Sequence, residues 1–251
     1  MLIDRILGAL MTLALVCASV LHDAPAIAGA ADERGARGPA QVETSLRPTP
    51  LGESILPLVE AFNADRERAR FVAILSPTCG ACRHGAEAIA RSLHRDGASD
   101  VAVFIVWAPM LPPDNEEAAR QASGLLEGPG VHQFYDPDRR VGLKFRTDVF
   151  PRAAEAMLNS LPPDHYLSET LSGRSNDTPE WDIYMFFPRG QEWSDAAPSP
   201  VHWIRQVARF PDSQGELKSV MWRDSYSQPP IEGSLPDQLR DLAGVMKVET
   251  K

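Results

Sequence analysis

Two short apolar runs, Phe71-Val72-Ala73-Ile74-Leu75 and Val101–Trp107 (VAVFIVW), constrain this chain more than any other feature. Neither alternates with polar residues, and Ser76-Pro77 ends the first abruptly, so each reads as a strand buried on both faces. Such strands need cover on two sides, and the flanking segments supply it. Ile55, Leu58, Val59 and Phe62 recur at helical spacing, with Pro57 near the first turn. From Cys82 to His94, Ala86, Ile89, Ala90 and Leu93 trace one helical face that Gly97 closes. Glu116–Leu126 reads as a helix, Val131–Tyr135 as a short strand, and Val141–Phe145 as a helical turn after Asp136-Pro137-Asp138. Alternating strands and helices predict an α/β fold with a mostly parallel sheet covered on both faces.

Beyond Phe145 the expected pattern is looser. Residues 146–180 form an insertion, with a helix over Arg152–Leu161 and a polar loop around Ser172–Thr178. Ile183–Phe187 is the next strand, and Pro188-Arg189-Gly190 a hairpin turn. Ser199-Pro200 offers an N-cap and an N1 proline for a helix reaching Phe210. Residues 211–251 read as a C-terminal extension. Glu216–Trp222 suits a strand there, and Ser234-Leu235-Pro236-Asp237 has capping-box form ahead of Leu239, Leu242 and Met246.

The amino terminus looks like an export signal. Arg5 precedes a stretch from Ile6 to Leu21 without a charged side chain, and Ala26-Ile27-Ala28 and Ala28-Gly29-Ala30 supply small-x-small cleavage sites. Residues 1–28 are therefore expected to be removed, giving a periplasmic or secreted protein with no membrane attachment; an uncleaved tether is the alternative. Residues 29–50 mix Gly, Ala, Pro and charges as a flexible linker does, and a folded domain is expected over 51–210. Lys+Arg 25 against Asp+Glu 34 gives a net charge of −9. No chain-wide basic field exists to hold a phosphate backbone, so nucleic acid is not an expected partner.

Loss of the leader removes Cys17 and leaves Cys79 and Cys82. Cys79-Gly80-Ala81-Cys82 leaves a buried strand and opens a helix. The first sulfur then sits where free backbone N–H groups and the helix dipole stabilise a thiolate, and the second lies one turn along. That is a thiol–disulfide exchange geometry. Covalent haem attachment is excluded because Arg83, not histidine, follows Cys82. A four-ligand zinc site lacks a second cysteine pair. A soft metal such as copper, held by Cys79, Cys82 and a histidine such as His84 or His132, stays open, as does a structural disulfide.

The strand, the Ser76-Pro77-Thr78-Cys79-Gly80-Ala81-Cys82 motif and the helix, strand and helix that follow resemble the thioredoxin-like superfamily. Val131–Phe145 is similar to the extra strand and helix of its exported members. The set SPTCxxC, Trp107-Ala108-Pro109-Met110-Leu111, Tyr135-Asp136-Pro137 and Trp181-Asp182-Ile183-Tyr184 looks like an exported branch with no established substrate. The resemblance implies a central mixed sheet with helices on both faces, and an exported thiol–disulfide oxidoreductase with Cys79 attacking, Cys82 resolving and no bound cofactor. Its partners would be protein thiols or disulfides, or a redox protein. Pro77, Thr78, Gly80, Ala81, Trp107, Pro109, Trp181 and Asp182 would rim the site. Two departures stand out. The family's acidic residue six positions before the first cysteine is Ala73 here, and its proline facing the cysteines is replaced by Trp181 or Asp182. The second departure favours a metal-binding or metal-delivery alternative. A non-catalytic interaction module is the third reading.

Overall fold

A computed structural model describes residues 47–94 and 101–248. The expected leader (1–28), with Cys17, and all of the expected linker before Arg47 lie outside the described residues. Sheet pairing begins at Thr49, inside the segment expected as linker: β1 (Thr49–Pro50) pairs parallel with β4 (Val131–Tyr135).

Both founding runs are strands. β2 (Ala69–Leu75) and β3 (Val101–Trp107) are buried at every position and lie parallel in register, Leu75 opposite Trp107. Their side chains alternate between two apolar layers. Val72 and Ile74 join one, with α1 (Leu56–Ala64), α4 (Arg140–Asp148) and α5 (Ala153–Asn159). Phe71, Ala73 and Leu75 join the other, with α2 (Gly80–Ile89), α3 (Glu116–Ser123) and α7 (Leu235–Val248). Burial on both faces is why these strands carry no polar alternation.

Among the described residues the sheet has eight strands in the order β1-β4-β3-β2-β5-β6-β7-β8, adding β5 (Ile183–Phe187), β6 (His202–Pro211), β7 (Leu217–Arg223) and β8 (Ile231–Gly233). It is a central mixed sheet of α/β class. β1, β4, β3 and β2 run parallel, whereas every pairing from β2 through β5 to β8 is antiparallel, which agrees with the expected central mixed sheet and corrects the mostly parallel one read from the alternation of strands and helices.

The expected helix ending at Phe210 is strand β6. Trp203 packs into one apolar layer and Ile204 into the other, an alternation that only an extended chain satisfies. A Ser-Pro pair starts a strand as readily as a helix, because the proline φ suits both. Nor is Pro188-Arg189-Gly190 a tight hairpin: β5 and β6 are joined through residues 188–201, and the buried Arg70 guanidinium donates to the Gln191 carbonyl in that connection (2.6 Å). The insertion carries α5 and a further helix, α6 (Leu167–Ser172). Residues 211–248 are no appendage. β7 and β8 extend the same sheet, and α7 lies against α2 and the π-helical turn Ala90–His94, where Ser92 Oγ donates to the Pro236 carbonyl (3.0 Å).

Candidate active site

The site forms where β2 ends. Cys79 occupies the N-cap of α2 with extended backbone, and its carbonyl accepts the first helical bond, from Arg83 N (2.9 Å). Gly80 and Ala81 carry no bulk that would cover the first sulfur. Cys79 is half-buried and Cys82, one turn on, is fully buried; both thiols are free.

Asp114 holds the turn into α2. Its carboxylate accepts from Ser76 Oγ (2.7 Å), Thr78 N (3.0 Å) and Thr78 Oγ1 (2.5 Å), and also from Met110 N and Leu111 N (2.8 Å each). One side chain thus ties the loop leaving β2 to the loop leaving β3. Burial raises the Asp114 carboxyl, but the donors, Thr78 and Ser76 foremost, outweigh it and the net direction is down.

Opposite the cysteines stands Asp182. Its N–H donates to the Ile74 carbonyl (2.8 Å) and its own carbonyl accepts from Gln206 N (2.9 Å), fastening it between β2 and β6. Its φ is +53°, a left-handed conformation that Asp tolerates better than most residues. Tyr184 Oη donates to Asp182 Oδ1 (2.8 Å) and Gln206 Nε2 to Oδ2 (3.2 Å), while Ser219 Oγ donates to Gln206 Oε1 (2.6 Å) and so fixes which end of the amide faces the carboxylate. Among the described residues, one ligand atom each from Cys79, Cys82 and Asp182 lie within 4.8 Å of one another.

Electrostatics separate the two thiols. A hydrogen bond from Cys82 lowers the Cys79 thiol to about 7, helped by the N–H groups of Cys82 and Ala81 and opposed by burial and by Asp182. Burial, then the donation to Cys79, drives the Cys82 thiol well above the ordinary range. Burial also raises the Asp182 carboxyl to about 6, against the pull of Tyr184 and Gln206.

The expected rim residues fall into three groups. Thr78, Gly80 and Ala81 surround Cys79 with some exposure, and the Gly80 carbonyl accepts from Arg209 Nη1 (3.1 Å). Pro109 is half-buried on the loop that Asp114 holds, and Trp181 is half-buried against both apolar layers, with the Arg174 guanidinium 5.8 Å from its ring centre. Pro77 and Trp107 are buried and form no rim: Trp107 packs in the same layer as Cys82 and its Nε1 donates to Gln133 Oε1 (2.9 Å). The histidine expectation is corrected. His132 stacks on Phe104 and pairs with Asp65 through Nε2 (2.9 Å), beside the segment that enters β2, whereas the cysteines follow its exit. His84 faces Glu87 (3.9 Å), and burial, with Arg209 and Arg91, lowers its pKa, so it is not a charged partner for Cys79 near neutrality.

Sequence inspection missed Asp114, Tyr184, Gln206 and Arg209. Tyr184 had a signal: it stands two residues beyond Asp182, on the same face of an extended chain. Asp114 follows Pro112-Pro113 and reads as an ordinary turn residue.

No family model, curated protein or solved structure matches the chain. The site is therefore described by its geometry alone: a half-buried thiol lowered to about 7, a fully buried thiol one turn along, and a buried carboxyl within 4.8 Å of both.

Proposed function

We infer that this chain is an exported thiol–disulfide oxidoreductase on a thioredoxin-like fold, enlarged by the 146–180 insertion and by β7, β8 and α7. Residues 1–28 are its cleaved signal, its compartment is the periplasm or the extracellular space, and its partners are protein thiols or disulfides. The observation that carries the reading is the contrast between the sulfurs: Cys79 is half-exposed and lowered to about 7, Cys82 fully buried and raised. An attacking thiol is fastest when its pKa lies near ambient pH, and a resolving thiol must stay protonated until the mixed disulfide has formed. Cys79 attacks a partner disulfide and expels a partner thiolate; Cys82 then attacks Cys79 Sγ and releases the second.

Metal delivery draws on the same three side chains. With His84 and His132 placed elsewhere, the third donor beside the thiols is a carboxylate, a hard ligand poorly matched to monovalent copper, and the Cys82 thiol resists ionisation.

Equilibration of the purified mature protein with glutathione redox buffers, read by mass spectrometry, tests the proposal. Reversible conversion between dithiol and Cys79–Cys82 disulfide is expected, with Cys82→Ser accumulating a mixed disulfide at Cys79. Failure to equilibrate overturns it, as does stoichiometric copper uptake by a protein that performs no exchange. The amino-terminal mass of the exported form tests the signal.

A further inference from the structure

In the reduced protein the Cys79 sulfur and the Asp182 carboxylate both lie within 4.8 Å of the Cys82 sulfur, and either can accept the Cys82 thiol hydrogen. While Cys79 is a thiolate it takes the hydrogen bond, which is what lowers it. Once Cys79 is bound in a mixed disulfide its sulfur is no longer an anionic acceptor. Cys82 is then a buried, protonated thiol that must lose its proton to act, and water does not reach it, since its exposure is 0%. The only carboxylate in that three-residue cluster is that of Asp182. It is itself only 5% exposed, so a carboxylate sits in the apolar layer of α2 with little access to solvent.

We propose that Asp182 is the catalytic base of the resolving step, accepting the Cys82 proton so that the thiolate attacks Cys79 Sγ. The inference rests on the oxidoreductase reading above and names a residue that neither the Cys-x-x-Cys motif nor its helix contains. The step balances. The Cys82 S–H bond breaks and its proton passes to an Asp182 oxygen; the Cys82 electron pair forms the Cys82–Cys79 bond; the Cys79–partner S–S bond breaks, and the partner leaves as a thiolate. The dithiol is oxidised by two electrons and the partner disulfide reduced. In the opposite direction the Asp182 carboxylic acid returns the proton to Cys82.

The groups facing Asp182 come from four places. Cys79 and Cys82 approach from the start of α2, Tyr184 from β5, Arg205 and Gln206 from β6, and Arg174 from the segment after α6. The Arg205 charge and the bonds from Tyr184 and Gln206 hold the carboxyl down, while burial holds it up, leaving it near 6. An acid of that strength is ionised at neutral pH and still basic enough to share a proton with a thiol. Tyr184 and Gln206 are positioning residues: they fix the carboxylate oxygens without touching either sulfur's reaction partner.

Stopped-flow reaction of the reduced protein with the aromatic disulfide dithiobis-nitrobenzoate separates the steps. Attack by Cys79 releases one coloured thiolate, and resolution by Cys82 releases the second. In wild type the second phase is expected to accelerate as pH rises through about 6, as the Asp182 carboxyl ionises. In Asp182→Asn the second phase should slow about 10- to 100-fold relative to the first and lose that inflection. In Tyr184→Phe, which removes a bond that lowers Asp182, the inflection should move to higher pH; this variant decides the question if Asp182→Asn does not fold. Wild-type kinetics in the second phase for both variants overturn the inference and leave the dithiol reading standing. Wild type that releases no second equivalent overturns both.

Discussion

Gly85 of α2 faces the Tyr184 hydroxyl so closely that a Cβ added at position 85 would collide with the Tyr184 oxygen and ring. The helix that begins at the cysteines and the strand that follows the buried acid thus approach across a position without a side chain. That contact holds the tyrosine hydroxyl at Asp182, and Asp182 beside Cys82.

Gly85→Ala is therefore expected to destabilise the fold although alanine is the better helix former. Overpacking of this kind costs about 1–3 kcal/mol, against roughly 1 kcal/mol gained in helix propensity. Thermal melts should show a lowered Tm. Tyr184→Phe, which removes the nearest colliding atom, should recover part of the loss in the double variant.

Cys79 owes its lowered pKa first to a bond from the Cys82 thiol. Cys82→Ala removes that donor, so the midpoint of the Cys79 alkylation profile should move upward from about 7. Cys82→Ser keeps a hydroxyl donor and should move it less. Iodoacetamide rates against pH separate the two variants, and in wild type Cys82 should react far more slowly than Cys79, because it is buried and protonated.

Asp182 is expected to reduce stability at neutral pH. Its folded pKa, about 6, lies above the ordinary 3.8, so the folded state binds the proton more tightly than the unfolded chain does. The favourable linkage is fully present below the ordinary pKa and is lost as pH rises from about 4 through about 6. A shift of that size corresponds to about 3 kcal/mol. Denaturant titrations should show Asp182→Asn gaining stability relative to wild type between acidic and neutral pH, while its resolving step slows.

Asp114→Ala should release the two loops that it ties together. Carboxylate-accepted hydrogen bonds contribute about 1.5–3 kcal/mol each and are not additive. A loss of about 2–4 kcal/mol is expected from the five donors that Asp114 serves. Slower exchange at Cys79 should accompany it as the helix start loosens. Because the Asp114 carboxyl is lowered in the folded state, its contribution is present above the ordinary carboxylate pKa and fades as pH falls through the lowered one.

His132→Ala should leave thiol exchange and metal uptake unchanged and cost only about 1 kcal/mol, for the lost Asp65 bond and the stacking on Phe104. A specific loss of thiol reactivity in this variant would contradict the placement of His132 away from the cysteines.

Local chemistry was enough to read β2, β3, β4 and β5, the helices α1, α2 and α7, and the placing of Cys79 at a helix start, because each is encoded in the spacing of neighbouring residues. Apolar runs mark strands buried on both faces, and helical spacing marks the covering faces. The segment His202–Pro211 was not legible in that way. Its Ser-Pro entry fits two conformations, and only the two apolar layers on either side of Trp203 and Ile204 select the strand. That selection sets β6 beside β5, brings Gln206 to Asp182, and lets β7 supply Ser219 to orient it. The sequence by itself determined that two thiols of unequal exposure would stand at the end of a buried strand. Only the tertiary structure decided that of Trp181 and Asp182 it is the carboxylate that faces them, with His84 and His132 outside the cluster, because that juxtaposition depends on strand order, which no local periodicity records.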